Sequence, residues 1–463
     1  MSRPVSPLVL ISLWVAETLS SFETSMILAA LKVLVAEFGD PALVGWLVTG
    51  FLIVGAASAA VVGRLGDIYG RRKVLLIVLV LGFIGSVMSA LADGFALLLA
   101  GRLLQGVTAT ILPLGIGLIR ETRTPDKVPM AIGFFMSGAT IGTAAGLVLG
   151  GLVVDNFTWH GIFMISAALC VIAFIMVRAF VPRSTPLPDS RRIDWFSGIL
   201  FAPGVTLLLL YLNGGKAWGW GSPGALALLA GGLVLCAWWW VASRRSDNPL
   251  IDVRPLADRA IAVSCATSAF VAMGALQVTV YFSLLLQAPT WTIAGLGLSA
   301  TAAGLAKLPS NMTSVLAGPL GGWLTGRGGG RIAMLIGGVV TTIGWTLALF
   351  DTSSVPIVIA TLIVISFGTT MLFAVTPTII AAAAPPERTS EVSGMVGVIR
   401  ALFMGVGAQI VTFLLATETV TRGSESYPSP DAFRFALIAI IVLTVIATAL
   451  SLLLPRKVGA ARS

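Results

Sequence analysis

Three ionised side chains stand where an apolar chain has least use for them. Glu17 and Glu23 lie within the apolar run 7–36, and Arg102 lies within the run 95–119, in Gly101-Arg102-Leu103-Leu104-Gln105-Gly106. Runs of this length are what a bilayer span requires, and a charged side chain at mid-membrane costs at least ~2.5–3.5 kcal/mol on insertion scales. Each therefore needs a partner or a task. Glu23, followed by Thr24 and Ser25, makes a polar patch, and a carboxylate in a dry span can take up and release a proton. Glu17, on the same helix, points about 120° away from it. Arg102 cannot lose its proton, so it needs an anionic or carbonyl partner, and a first-span carboxylate is the natural one. Gln105, within a turn of Arg102, can share the same cavity. Proton coupling through Glu23, Arg102 and Glu17 is one expectation; permanent pairing or a water-facing carboxylate is the other.

A second cluster is Gly63-Arg-Leu-Gly-Asp-Ile-Tyr-Gly-Arg-Arg-Lys73. Three glycines, one acid and four bases between two apolar runs read as a water-exposed turn. Asp67, Arg71, Arg72 and Lys73 can enter ion pairs involving Arg120 or Arg123, and reach the start of a later span at Thr389-Ser390-Glu391, where a carboxylate is favoured at a helix N-terminus. If the contact forms only when one membrane face is closed, then Gly63, Asp67, Gly70, Arg71, Arg72, Arg120, Arg123 and Glu391 form a conformational latch. Plain anchoring by positive charge is the alternative. A degenerate copy places Gly322, Leu324, Gly329 and Arg331 where the first has Gly63, Leu65, Gly70 and Arg72, with Gly326 in place of Asp67. The acid survives only in the first copy, so the latch is expected to centre on Asp67.

Gly138, Gly142, Gly146 and Gly150, with Gly151 after them, form a ladder along one helix face, which lets another helix approach closely. Gln277, Lys307, Asn311, Arg400 and Gln409 are polar intrusions in later spans; Lys307 and Arg400 are expected to face a cavity or to snorkel. Pro113, Pro309, Pro319 and Pro377 fall in mid-span, where they free carbonyls and permit bending. Trp238-Trp239-Trp240 before Arg244-Arg245 reads as an interfacial belt. Cys170, Cys236 and Cys265 lack metal-ligand spacing and read as small core residues. The sole histidine, His160, excludes a histidine-based metal cluster. No Gly-x-x-x-x-Gly-Lys-Ser/Thr phosphate loop is present, which argues against ATP as an energy source.

These residues must be positioned by membrane helices. Of 463 residues, 57% are hydrophobic and 11% charged, and the mean hydropathy of +0.99 is far too high for a soluble domain. About fourteen spans are expected on a template of about 20 residues each: 7–36, 41–62, 74–92, 95–119, 128–154, 160–181, 195–212, 223–242, 260–287, 297–325, 331–350, 355–383, 391–416 and 432–454. All read as helix, because a barrel needs alternating strands, and the first reads as an uncleaved span. With the 63–73 turn placed in the cytoplasm, 22 of the 29 bases fall in inside loops and termini and 3 in outside loops. That bias sets an even number of helices with both ends inside. The net charge of +9 is thereby explained by the anionic inner leaflet and not by nucleic acid. The connections 182–194 and 243–259 bracket a helix pair between two six-helix halves, a 6+2+6 plan. The divisions are 1–182 for the N-terminal bundle, 183–259 for the linker with two extra helices, and 260–463 for the C-terminal bundle.

On these residues the chain resembles the major facilitator superfamily. The 63–73 stretch is similar to its Gly-x-Leu-x-Asp-x-x-Gly-Arg-Arg/Lys signature between helices two and three. Glu23-Thr-Ser-Met-Ile-Leu-Ala-Ala-Leu-Lys-Val-Leu34 resembles the first-helix pattern of the fourteen-helix drug:proton antiporters in that superfamily, with Glu23 for the usual Asp, and Leu28 and Lys32 for the usual Asn and Pro. Arg102, Gln105 and Gly106 match the fourth-helix motif, whose arginine the resemblance ties to proton coupling. Gly142-x-x-x-Gly146-Leu-x-x-Gly150-Gly151 is similar to the fifth-helix antiporter motif, with Leu147 for its proline, and Trp159-His160-Gly-Ile-Phe163 to its sequel, where a common arginine is replaced by His160. Ser393-Gly394 through Arg400 and Gly405 resembles the thirteenth helix.

The resemblance implies an all-α polytopic membrane protein that is not an enzyme. Its implied function is that of a proton-coupled antiporter exporting hydrophobic or cationic drug-like molecules by alternating access, with the proton gradient and no cofactor or metal. It implies a monomer in the plasma (inner) membrane. Expected cavity residues are Phe22, Gln105, Phe134, Phe135, Gln277, Tyr281, Phe282, Lys307, Asn311, Phe373 and Arg400. A lipid or metabolite flippase, or an uptake symporter of the same fold, is the alternative.

Overall fold

The computed structural model describes residues 6–184, 194–422 and 425–455. Where long apolar runs exclude water, the backbone must satisfy its own hydrogen bonds, and here it does so as helix. Successive elements are α1 (Pro7–Phe38), α2 (Pro41–Tyr69), α3 (Arg71–Ala90), α4 (Phe95–Gly106), a 3-10 turn (Val107–Thr110), α5 (Ile111–Thr122), α6 (Val128–Asn156) and α7 (His160–Phe180). The short α8 (Phe196–Ile199) precedes α9 (Phe201–Trp218) and α10 (Pro223–Arg245). Then come α11 (Arg259–Met273), a 3-10 turn (Ala275–Gln277), α12 (Val278–Gln287), α13 (Ala300–Gly328), α14 (Gly330–Phe350), α15 (Val355–Ala383), α16 (Thr389–Leu415) and α17 (Pro430–Leu450). Helix starts are marked by a recurrent Ser-Pro pair: Ser6, Ser222 and Ser429 cap α1, α10 and α17, each with proline at the first helical position.

Among the described residues, twelve helices are long and apolar enough to cross a membrane, counting α4–α5 and α11–α12 as one each. Beyond these, Phe201–Gly215 is a shorter apolar helix, and α13 is long but less apolar. Large apolar side chains such as Ile77, Ile175, Leu233 and Met312 are exposed on helix surfaces, as a lipid-facing surface requires. Outside the helices, Thr419–Arg422 pairs antiparallel with Glu425–Pro428, a hairpin the all-helix expectation missed because its strands are only four residues long.

Two compact units are formed, one from Met1–Asp258 with Ile380–Val398 and the other from Arg259–Ile379 with Ile399–Ser463. The stretch joining α15 to α16 thus packs with the first unit rather than with the expected bundle 260–463. So does the pair α9–α10, whose α9 also lies against α2. Most of the expected 182–194 connection, including Arg191 and Arg192, lies outside the described residues.

The 63–73 stretch is not a water-exposed turn. Helix α2 runs on through it to Tyr69, Gly70 alone breaks the path at φ 96°, and α3 begins at Arg71. Arg64, Asp67, Arg71 and Arg72 are buried, because their charges are taken up by neighbouring helix ends. In the degenerate copy Gly329, at φ 83°, makes the same single-residue break between α13 and α14. Trp239 of the expected belt is likewise buried, donating to the Ile251 carbonyl at 3.3 Å, while Trp238 and Trp240 remain exposed.

Candidate functional site: a buried carboxylate and a helix-end lock

Helix α1 is held by α6 along the glycine ladder. A Cβ on Gly138 would lie 2.9 Å from the Trp14 carbonyl oxygen, one on Gly142 2.2 Å from that of Thr18, and one on Gly146 2.8 Å from that of Phe22. Only hydrogen at these positions lets the two backbones meet. Gly150 still touches Met26, but Gly151 has nothing within 4 Å and is not part of the contact. The ladder therefore clamps the part of α1 that carries Glu23.

Glu23 is 0% exposed, and its carboxylate is surrounded by neutral donors. Thr108 Oγ1 donates to Oε2 at 2.5 Å, while Oε1 accepts from Ser166 Oγ at 2.5 Å, Ser86 Oγ at 3.3 Å and Gln105 Nε2 at 3.3 Å. Cys170 Sγ stands 3.9 Å away. Close helix crossings bring these groups in: Gly82 leaves room for Thr108 of the 3-10 turn, and Gly85 lies against Gly101 of α4. The turn itself occurs where Pro113, lacking an N–H, cannot bond the Ala109 carbonyl, and where Thr108 and Thr110 return hydroxyl bonds to Gln105 and Val107.

Arg102 does not pair with the Glu23 carboxylate. Its Nη1 donates to the main-chain carbonyl of Glu23 at 3.1 Å and to Gln105 Oε1 at 3.0 Å, its Nε donates to the Leu47 carbonyl at 3.1 Å, and the guanidinium lies 4.3 Å from the Phe51 ring centroid. Gln105 is the bridge, accepting from Arg102 and donating to Glu23. Glu17 is buried but is not among the groups surrounding this carboxylate, as its different helix face implies.

The pocket can serve both forms of the acid. Thr108 Oγ1 also lies 2.8 Å from the Gln105 carbonyl, and Ser86 Oγ lies 2.8 Å from the Gly82 carbonyl and 2.9 Å from Ser166 Oγ. A hydroxyl is both donor and acceptor. With the carboxylate ionised, Thr108 donates a hydrogen bond to it; with the acid protonated, the acid's O–H can donate to Thr108 Oγ1, whose hydroxyl hydrogen then turns to the Gln105 carbonyl. Ser86, Thr108 and Ser166 were missed in the sequence, where the only signal is a lone hydroxyl in an apolar span.

A second constellation locks the ends of α2, α3 and α16 within the same unit. Asp67 accepts from the backbone N–H of Ser390 at 3.3 Å and of Glu391 at 2.9 Å, and pairs with Arg71 at 2.8 Å. Gly63 permits the approach, since a Cβ there would lie 2.5 Å from the Ser390 carbonyl oxygen. Arg71 also reaches the Pro386 carbonyl, the Gly117 carbonyl and Glu121. Arg120 donates to the Ala384 carbonyl at 2.6 Å and to Thr389 Oγ1 at 2.7 Å. Glu391, 0% exposed, pairs with Arg64 at 3.5 Å and Arg388 at 3.0 Å and accepts the Asp252 N–H at 2.6 Å. Two expected members lie elsewhere: Arg72 donates to the Arg178 carbonyl at 2.5 Å, anchoring α7, and Arg123 to the Ser6 carbonyl at 3.4 Å. Arg64, Glu121 and Asp252 were not anticipated, because their partners are distant in sequence, and Arg388 was overlooked although it lies three residues from Glu391.

Several expected cavity residues are packed away. Phe22 and Met26 share a core with Trp159 and Phe163, and Tyr281 and Phe282 one with Trp345 and Phe433. Phe135 is buried against Gly115, while Phe134 is partly exposed beside Trp14. Gln277 is buried, stitching the break after α11 to the Ala272 and Met404 carbonyls. Lys307 donates to Ser283 Oγ at 2.8 Å, Asn311 is half-buried, and Arg400 lies 4.4 Å from the Phe373 ring centroid.

The family model of the Major Facilitator Superfamily matches residues 13–194 of this chain. The chain is 28% identical to the multidrug resistance protein Stp of Mycobacterium tuberculosis over 80% of this chain and 68% of that one. It is also 28% identical to the cephamycin export protein CmcT of Amycolatopsis lactamdurans over 94% of this chain and 91% of that one. The fold is shared with the human organic anion transporter MFSD10 (TETRAN), at a TM-score of 0.67 and 14% identity, covering 97% of this chain and 100% of that structure.

Proposed function

We propose that this protein is a membrane transporter, a proton-coupled exporter of hydrophobic drug-like molecules, working by alternating access as a fourteen-helix, 6+2+6 protein with both termini cytoplasmic. The observation that carries the coupling is the Glu23 carboxylate: fully buried, without a basic side chain bonded to it, and ringed by hydroxyls able to serve both protonation states. A proton entering from outside neutralises Glu23, and Thr108, Ser86 and Ser166 reverse their bonds to match. Gln105 passes the change to Arg102, which holds the Glu23 and Leu47 carbonyls. Neutral and ionised forms thereby favour different conformations, and loss of the proton to the inside resets the carrier. Export, rather than uptake, is supported by relatives named for drug resistance and antibiotic export.

Purified protein in liposomes, with an imposed pH gradient and a panel of hydrophobic aromatic dyes, tests this reading. Gradient-driven movement should vanish with a protonophore and with Glu23→Gln. Unchanged gradient-driven transport by that variant would sink the proton-carrier assignment.

A further inference from the structure

The helices of the second unit are one-sided in charge. Within α11, α12, α13, α14 and α15, and along α16 from Ile399, there is no Asp or Glu, and α17 has only Asp431 in its first turn. Yet Lys307 sits within α13. A base half-buried in an apolar span without an acid nearby is costly unless something else supplies the negative charge.

Lys307 shows what is missing. Its ammonium has three N–H donors, and among the described residues its one bond is to the Ser283 hydroxyl at 2.8 Å. One turn further along α13, on the same face, comes Asn311, half-buried. One turn before Lys307 on that face is Gly304, where an added Cβ would meet nothing within 4 Å. The strip Gly304, Lys307, Asn311 is therefore polar with open space beside it. It is distinct from the apolar flank of the same helix, where Leu305, Met312 and Leu316 are 59–73% exposed.

We propose that this strip of α13 is a subsite for an anionic oxygen on the transported molecule, a carboxylate or phenolate, with Lys307 as the cationic contact and Asn311 as a neutral donor. Ser283 holds the Lys307 side chain in place from α12. A cationic cargo is repelled at this strip, so the reading narrows the hydrophobic cargo class to acid-bearing aromatic compounds. It rests on the exporter reading only in naming the ligand as cargo.

Equilibrium binding of pyrenebutyrate and of its methyl ester to the purified full-length protein in detergent tests it, since the two probes share an apolar body and differ in charge. Wild type should bind the carboxylate at least about tenfold more tightly, the gain from one charge-assisted hydrogen bond. Lys307→Gln should remove that preference by weakening carboxylate binding, Lys307→Arg should keep it, and Asn311→Ala should reduce it. Equal affinities in wild type, preference for the ester, or binding of neither probe overturns the proposal, as does retained preference in a monodisperse Lys307→Gln protein. If Lys307→Gln does not purify as a monodisperse species, the wild-type comparison decides alone. No pH gradient enters the measurement, so charge preference can survive a failure of proton-driven export, and the reverse.

Discussion

At Glu23 the length of the side chain is used. One oxygen reaches Thr108 after α4 and the other Ser166 on α7, both at 2.5 Å, so the carboxylate ties α1 to two other elements. Glu23→Asp keeps the acid but withdraws it by about 1.5 Å, one carbon–carbon bond. It cannot then hold both hydroxyls, and each bond to the ionised form contributes about 1.5–3 kcal/mol. Initial rates of gradient-driven transport in proteoliposomes should fall about tenfold or more, with folded yield unchanged; a wild-type rate would show that the reach is not needed. The acid and Arg102 were legible in the sequence because charge in an apolar run is rare and must be answered. Which answer Arg102 receives was not, since a main-chain carbonyl is present at every residue. Nor were Ser86, Thr108 and Ser166, because a lone hydroxyl in a span leaves no sign of the face it takes.

Among elements, the first turn of α16 is held by α2 through its backbone. Asp67 accepts two N–H groups that no preceding helical turn can satisfy, and its charge complements that end of the helix dipole. Glu391 in turn joins Arg64 and Arg388 to the segment leaving α10, whose Asp252 N–H it accepts. The additional helix pair is thereby coupled to the same lock. Asp67→Asn retains the shape but loses the charge shared with Arg71 and the two N–H groups, a change of about 1.5–3 kcal/mol for a charge-assisted bond. Transport should slow about tenfold with expression retained, measured as flux per purified protein. Normal flux would reduce the cluster to an anchor. The spacing of Gly63, Asp67 and Arg71 made this meeting foreseeable, but taking the stretch for a wet turn hid that α2 continues as helix. Charges that look solvated in a sequence can be buried when a distant helix end supplies the complementary groups.

For the molecule as a whole, the distribution of bases argues for the topology more strongly than apolar length does. Twelve described helices qualify as spans by length and composition, whereas α9 is short and α13 is less apolar. Yet 22 of 29 bases fall on one side when all fourteen segments are alternated, and that bias is what orients helices during insertion. If α9 and α10 both cross, the residues joining them lie outside and those following α10 inside. Gly221, with no neighbouring atom within 4 Å of an added Cβ, and Asp247, exposed after α10, are suitable reporters. The native cysteines are buried or half-buried within helices, which keeps background labelling low. In intact cells a membrane-impermeant maleimide should label Gly221→Cys directly and Asp247→Cys only after permeabilisation. Labelling of both from outside, or of Gly221→Cys only after permeabilisation, would place the pair on one side of the membrane or reverse its direction, and the 6+2+6 plan would fail.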